Sequence, residues 1–233
     1  VLPIDRLVDE LESRGVETLV DGAHGPGMVE VNLDDLGATY YTGNCHKWLC
    51  APKGAAFLWV DDRRRGDIRP LTISHGATAP TDERSRFHNE FDWTGTQDFS
   101  PFLCVPIAID FLKSLVPGGW ETIWERNREV ALEARDMLCE TLDLEHVHDL
   151  GRTVANAEYA QPDNLTEDPL YRKLFDEADI EASIFPFPEH PGRVLRVSTH
   201  LYNTLDGYER LCEVLPDALA GEELLDEGEI PVY

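Results

Sequence analysis

Lysine is the scarcest charged residue of this chain: Lys47, Lys53, Lys113 and Lys173 are the only ones in 233 residues, and the other bases are arginines. The formal net charge is −25, from 45 acidic residues against 20 basic ones. A surface so poor in positive charge lacks the footprint that phosphate backbones demand, which argues against nucleic acid and anionic membranes as partners. Long apolar runs are also missing, so no bilayer-spanning helix is expected, and no secretory leader is recognised. The five cysteines, Cys45, Cys50, Cys104, Cys139 and Cys212, are odd in number and irregularly spaced, which excludes a regular disulfide framework. Reduced thiols in a cytoplasm are the expectation. Internal repeats and low-complexity segments are absent as well.

What remains is an ordinary globular composition, 42% hydrophobic, carrying an extreme acid excess. Like charges repel unless salt screens them. An acid-rich, lysine-poor surface is the one a salt-loving cytoplasm would select; a merely acidic mesophile protein is the plainer alternative. The first residue is valine rather than methionine, and a helix follows almost at once. That opening predicts a part of a longer protein.

Taken in order, Pro3 to Arg14 places Ile4, Leu7, Val8 and Leu11 on one helical face, closed by Gly15. Val16 to Val20 reads as a short buried strand, Asn32 as a helix cap, and Ala38 to Thr42 as the next strand. Gly54 to Val60 is a continuous apolar run and predicts a strand buried on both faces. Residues 74 to 100 show no clear periodicity, and a loop of that length is usually functional. An apolar helix is expected from Ser100 to Leu115, a break at Pro117-Gly118-Gly119, and a long amphipathic helix from Trp120 to about Leu142. Beyond it come a strand near Thr153 to Tyr159, a helix near Leu170 to Ala178, strands at Ala182–Phe185 and Val194–Ser198, and a helix from Leu205 to about Leu219. These observations predict two domains, residues 1–118 of α/β type and residues 119–221 of small α+β type. An acidic tail over 222–233 follows.

The chemistry-bearing residues gather where two strands end. Thr18-Leu19-Val20 stops in Asp21-Gly22-Ala23-His24, and the next strand runs into Tyr41-Thr42-Gly43-Asn44-Cys45-His46-Lys47-Trp48. In open parallel sheets, ligands bind beyond the carboxyl ends of the strands. An acid, two histidines and a lysine delivered there suit pyridoxal phosphate. The lysine amine forms a Schiff base with its aldehyde, and the carboxylate keeps the pyridine nitrogen protonated. Partial burial of Lys47 beside Trp48 is expected to favour the neutral amine that attacks an aldehyde. Cys45, His46 and Cys50, with His24 or His75, could instead be read as zinc ligands, although their spacing does not make a tight knuckle.

Three ordered motifs, Asp21-Gly22-Ala23-His24, Gly43-Asn44-Cys45-His46-Lys47-Trp48 and Leu195-Arg196-Val197-Ser198-Thr199-His200-Leu201-Tyr202-Asn203, resemble those of the class V aminotransferase family, and within it the isopenicillin N epimerase-like branch. The resemblance runs from about residue 1 to about residue 220. It implies a fold-type I pyridoxal phosphate enzyme: part of a large α/β domain with a mostly parallel sheet, followed by the small α+β domain. By the resemblance, Lys47 is the Schiff-base lysine, Asp21 pairs with the pyridine nitrogen, His24 bonds the phenolic oxygen and His46 touches the phosphate. Asn44 stands where many relatives carry a phosphate-binding serine. Thr96, in Thr94-Gly95-Thr96, resembles a residue that reaches the phosphate of a neighbouring subunit, which implies a homodimer. Arg196 becomes the clamp for the α-carboxylate of an amino-acid substrate. The activity implied is transamination or epimerisation at the α-carbon. A cysteine desulfurase is disfavoured, because Cys139 and Cys212 both fall in predicted helices rather than on a mobile loop. Other readings are a non-catalytic remnant, or structural partner, of such an enzyme and, more distantly, a zinc-binding domain.

Overall fold

The computed structural model describes residues 2–144, 153–158, 168–186 and 192–220. The chain divides into two compact units, Leu2–Trp124 and the residues from Glu125 onward. The expected acidic tail over 222–233 lies outside the described residues.

The first unit opens with helix α1 (Ile4–Ser13), which buries Val8 while Leu7 and Leu11 stay partly exposed. The expected apolar face is present but only thinly covered. Strand β1 (Leu19–Asp21) is shorter than predicted and pairs in parallel with β2 (Tyr40–Asn44), Asp21 opposite Thr42. Its start is fixed by a side chain. One oxygen of Glu12 accepts from Thr18 N at 3.0 Å, Thr18 Oγ1 at 2.7 Å, Thr39 N at 3.2 Å and Thr39 Oγ1 at 2.6 Å. That carboxylate takes up backbone N–H groups that would otherwise continue a ladder. It ties α1 to the entry of both strands.

Between β1 and β2 lie the single turn α2 (Gly25–Met28) and α3 (Leu33–Leu36). The α3 cap is Asn32, whose side chain accepts from Asp35 N, as expected. Strand β3 (Ala56–Val60) runs antiparallel to β2, giving a sheet of order β1-β2-β3. Two expectations fail in this sheet. Leu19 is 65% exposed rather than buried, and β3 alternates, with Ala56 and Leu58 outward and only Val60 enclosed. Among the described residues both strands pair along one side only, so apolar composition alone does not enclose them.

Residues 74–100 carry more order than their composition suggested. A 3₁₀ turn (His75–Thr78) and helix α4 (Arg86–Phe91) lie there, and Arg69 donates to both oxygens of buried Glu90 at 2.9 and 2.7 Å. The single apolar helix expected over 100–115 is two, α5 (Ser100–Leu103) and α6 (Val105–Ser114), meeting at Cys104. One side of α6 packs Val105, Ala108 and Ile109 on Cys45, Leu49, Ala51 and Ala55. Leu103 at the end of α5, Ile107 and Phe111 of α6, and Leu115 just past α6 stay exposed, four residues apart.

The second unit holds most of α7 (Trp120–Leu142), then β4 (Thr153–Glu158), α8 (Pro169–Ala178), β5 (Ser183–Pro186), β6 (Gly192–Val197) and α9 (Leu205–Leu219). Its sheet is antiparallel with order β4-β6-β5. Helices α7, α8 and α9 bury Leu138, Leu174, Leu211 and Leu215 together with Leu195 and Val197 of β6, a continuous aliphatic core. Among the described residues no helix is long and apolar enough to cross a membrane.

Candidate active site

The site grows from the parallel pair. Because β1 and β2 run the same way, with Gly22 N donating to Thr42 O at 2.9 Å, residues 22–24 and 45–47 leave the sheet at the same end. Asp21 sits there exposed, its Oδ1 accepting from Ala23 N at 3.1 Å in a tight turn. Tyr41 lies beneath, its hydroxyl donating to Gly22 O at 3.3 Å. Burial, and then the negative charge of Asp21, push the Tyr41 phenol above its ordinary range. It stays a neutral donor.

The loop after β2 is built on one carbonyl. Ala55 O accepts from Cys45 N at 2.9 Å and His46 N at 3.1 Å, and it lies 2.7 Å from His46 Nδ1. A carbonyl can only accept, so Nδ1 carries the proton. The turn closes with Cys50 N donating to Lys47 O at 3.1 Å and Ala51 N to Cys45 O at 3.1 Å. Cys45, Trp48 and Leu49 point inward, and burial pushes the Cys45 thiol up, keeping it protonated. Lys47 is exposed. Its expected partial burial is not found, because the turn sends its neighbours Trp48 and Leu49 into the core and leaves Lys47 at the tip.

The two turns are packed backbone to backbone. Gly27, at φ +86°, lies so near the Trp48–Leu49 peptide that an added Cβ would stand 2.8 Å from the Trp48 carbonyl. Only glycine fits that conformation and that gap. Two indoles hold the His24–Gly27 turn: Trp48 Nε1 donates to His24 Nδ1 at 3.3 Å, and Trp124 Nε1 donates to Gly27 O at 3.2 Å.

Asp21, His24, Asn44, His46 and Lys47 thus share one end of the β1–β2 pair. Asn44 is the last residue of β2, opposite Ala56. Thr96 is exposed in the loop between α4 and α5, next to Gly95 at φ +137°. Arg196 belongs to the second unit, in β6, half-buried with its guanidinium 5.5 Å from the centre of the Phe185 ring. Among the described residues no carboxylate bridges it. The loop after β6 is held from α7: Arg126 donates to His200 O at 3.3 Å and Asn203 O at 3.0 Å, and Thr199 Oγ1 donates to Asn127 O at 2.7 Å.

Much of the third motif therefore shapes the chain around Arg196. Tyr208, donating to Ser198 O at 2.8 Å, has its phenol pushed up to about 12, chiefly by burial. The zinc reading finds no support, since among the described residues no group of three or more His, Cys, Asp or Glu converges to hold a metal ion. A cleft of about 660 Å³ runs from Asp21 and Gly22 past Tyr41 to Asn32 and Asp35. Neither Lys47 nor the two histidines line it, so it is not by itself the seat of the strand-end chemistry.

These residues fit pyridoxal phosphate by the chemistry of the donor set. A carboxylate, an accessible primary amine, two imidazoles and an amide leave one strand-pair end, beside a turn with no room for a Cβ. Sequence reasoning missed Trp48 as a partner of His24 and Tyr41 as the floor beneath Asp21. Neither contact has a periodic signature; only an indole next to the lysine hinted that something nearby needed an N–H.

A family model for aminotransferase class-V matches residues 1–160. The chain is 38% identical over 228 residues to the isopenicillin N epimerase of Amycolatopsis lactamdurans, covering 93% of this chain and 56% of that protein. The isopenicillin N epimerase of Streptomyces clavuligerus is 35% identical over 242 residues, covering 95% and 57%. A probable chloroplastic L-cysteine desulfhydrase of Arabidopsis thaliana is 29% identical over 231 residues, covering 92% and 47%. The chain thus spans about half the length of the curated relatives it matches. Among solved structures it is similar to an apo cysteine desulfurase from Thermococcus onnurineus NA1, with a TM-score of 0.72 at 18% identity, covering 94% of this chain and 56% of that one. At that identity the likeness is one of fold, and the fold is that of fold-type I pyridoxal phosphate enzymes. With a family match that covers the strand ends carrying its polar groups, this chain belongs to the class V aminotransferase family, whose enzymes depend on pyridoxal phosphate.

Proposed function

We propose that the chain serves pyridoxal phosphate-dependent proton transfer at the α-carbon of an amino acid, with epimerisation as its outcome. The observation that carries the reading is the shared end of β1 and β2, which brings Asp21, His24, His46 and Lys47 out of the sheet together. The similarity to isopenicillin N epimerases over more than nine-tenths of the chain favours epimerisation over transamination. Against a desulfurase reading, Cys139 and Cys212 lie in helices α7 and α9.

Bound pyridoxal phosphate supplies an electron sink that acidifies the α-proton of an attached amino acid. The residues of this chain do the rest. The Lys47 amine would hold the cofactor's aldehyde carbon and, when free, would take the α-proton. Its exposed position leaves room for both roles. Asp21 would hold a proton on the ring nitrogen through its carboxylate, and His24 would donate to the phenolic oxygen. His46 and Asn44 would bind the phosphate, with Thr96 of a second copy. Arg196 grips the substrate carboxylate through its guanidinium fork, which a lysine could not reproduce.

The homodimer this requires is supported by the exposed apolar row Leu103, Ile107, Phe111 and Leu115. Residues 1–118 would then be the later part of the large cofactor-binding domain, and 119–221 the small domain. A cytoplasmic setting rich in salt suits the charge of −25. Raising salt from about 0.1 M to about 1 M shortens the screening length from about 10 Å to about 3 Å. Melting temperature and cofactor affinity should therefore rise together across that range.

The test is solvent exchange. The cofactor-loaded protein, incubated in D₂O with candidate amino acids, is expected to replace the α-proton by deuterium and to interconvert the two α-epimers. Arg196→Lys should weaken amino-acid binding far more than cofactor binding. Release of a keto acid in place of the epimer would make the chemistry transamination. No exchange with any amino acid while the cofactor is bound would leave the chain a non-catalytic relative, a reading the exposure of Lys47 also permits.

A further inference from the structure

The two imidazoles at the strand ends are held by unlike partners. Trp48 Nε1–H can only donate, and it points at His24 Nδ1 from 3.3 Å. His24 Nδ1 must then be the bare nitrogen, so a neutral His24 ring keeps its proton on Nε2. At His46 the partner is the carbonyl oxygen of Ala55, 2.7 Å from Nδ1, so that ring carries its proton on Nδ1 and leaves Nε2 bare. The selecting groups are well placed to impose this. Trp48 is buried, and its backbone is pressed against Gly27 of the turn that carries His24. Ala55 O is already the anchor for Cys45 N and His46 N. Neither partner can rotate to the opposite role, since an indole has no acceptor and a carbonyl no donor.

We propose that Trp48 is a positioning residue that fixes His24 in its Nε2–H tautomer, opposite to the tautomer of His46. The consequence for function rests on the reading above. A ring whose one N–H is Nε2–H stabilises an anionic oxygen such as the phenolic oxygen of pyridoxal phosphate. The reverse tautomer could turn a lone pair toward the same oxygen. His46, when neutral, offers only a lone pair at Nε2 and can donate to a phosphate there only as the doubly protonated cation. The strand ends would thus supply two imidazoles with different duties, one a neutral donor and one a donor only when charged.

The tautomers belong to the chain itself and are measurable without cofactor. In protein labelled with ¹⁵N-histidine, long-range ¹H–¹⁵N spectra distinguish a bare ring nitrogen from a protonated one, and His24→Gln and His46→Gln identify the two rings. The expected result at neutral pH is a bare Nδ1 on His24 and a bare Nε2 on His46. Trp48→Phe, which keeps an aromatic ring in the core, should move both His24 nitrogens toward averaged values and leave those of His46 unchanged. In the unaltered protein, the Trp48 indole N–H should also exchange with solvent about tenfold more slowly than an exposed indole, as a made hydrogen bond predicts. That measurement stands even if Trp48→Phe fails to fold. A proton on His24 Nδ1, an indole exchanging at the exposed rate, or His24 nitrogens unmoved by Trp48→Phe would each overturn the proposal. None of these outcomes bears on whether Lys47 binds the cofactor, so the two readings fail separately.

Discussion

In the unit that begins at Glu125, Leu138, Leu174 and Leu215 are wholly enclosed between helices and sheet. In the unit that ends at Trp124, Leu19 and Leu58 stay exposed, while Thr39 and Glu90 are among the most buried groups. The second unit is held mainly by aliphatic area. In the first, single polar groups fix the backbone: Glu12 on four donors, Ala55 O on three, and two indoles on one turn. Hydrogen bonds contribute modestly to stability but specify geometry sharply. The comparison teaches that the region bringing the reactive groups together is the one built for position rather than for burial.

The largest expected effect tests the aliphatic side. Leu174→Ala should cost about 2–5 kcal/mol, the range for emptying a fully buried leucine site. Leu19→Ala should stay within about 0.5 kcal/mol, because most of that side chain already meets water. Urea unfolding monitored by circular dichroism reads both. Equal losses at the two positions would mean that something covers Leu19, and the contrast between the units would collapse.

Next comes the close approach of the turns. Gly27→Ala adds a Cβ against the Trp48 carbonyl at a φ that disfavours it, and a cost of about 1–3 kcal/mol is expected from the strain. The His24–Trp48 contact should loosen in the same variant, seen as faster exchange of the indole N–H.

Smaller again is the effect of Glu12→Gln, about 1 kcal/mol, since the amide oxygen can still accept some of the four bonds. Burial alone would raise the Glu12 carboxyl, but the bonds from the Thr39 and Thr18 side chains and backbones outweigh it and hold it below its ordinary value of 4.5. A carboxyl depressed in the folded state contributes stability above its unfolded value and loses it as pH falls through the folded one. The native protein should therefore lose more stability on acidification than Glu12→Gln does. Parallel acid limbs for the two proteins would show that the four bonds do not favour the charged form.

Helices α7 and α9, the Asn32 cap and the two strand-end motifs were legible because each is a local pattern: an apolar periodicity, a capping residue, or an ordered string. The exposure of Leu19 and Leu58 was not, because a β-branched or apolar run reads alike whether or not the sheet continues beyond it. The Glu12–Thr39 bonds and the Trp48–His24 bond join residues far apart in sequence through single polar atoms. No window of the sequence contains both partners. The exposure of Lys47 escaped for a related reason: a bulky neighbour suggests burial, yet in a tight turn adjacent side chains diverge.

The smallest stability change, and the most direct test, falls on Lys47. Its replacement by alanine should alter folding stability by no more than about 0.5 kcal/mol, as for an exposed turn residue. The decisive measurement is to add pyridoxal phosphate to the protein, reduce with borohydride, and locate the modified residue by mass spectrometry. The account predicts a single pyridoxyl group on Lys47, lost in Lys47→Ala with no label appearing elsewhere. A label on Lys53, Lys113 or Lys173, or a folded protein that takes no label at all, would contradict the claim that the β1–β2 end holds the cofactor through Lys47.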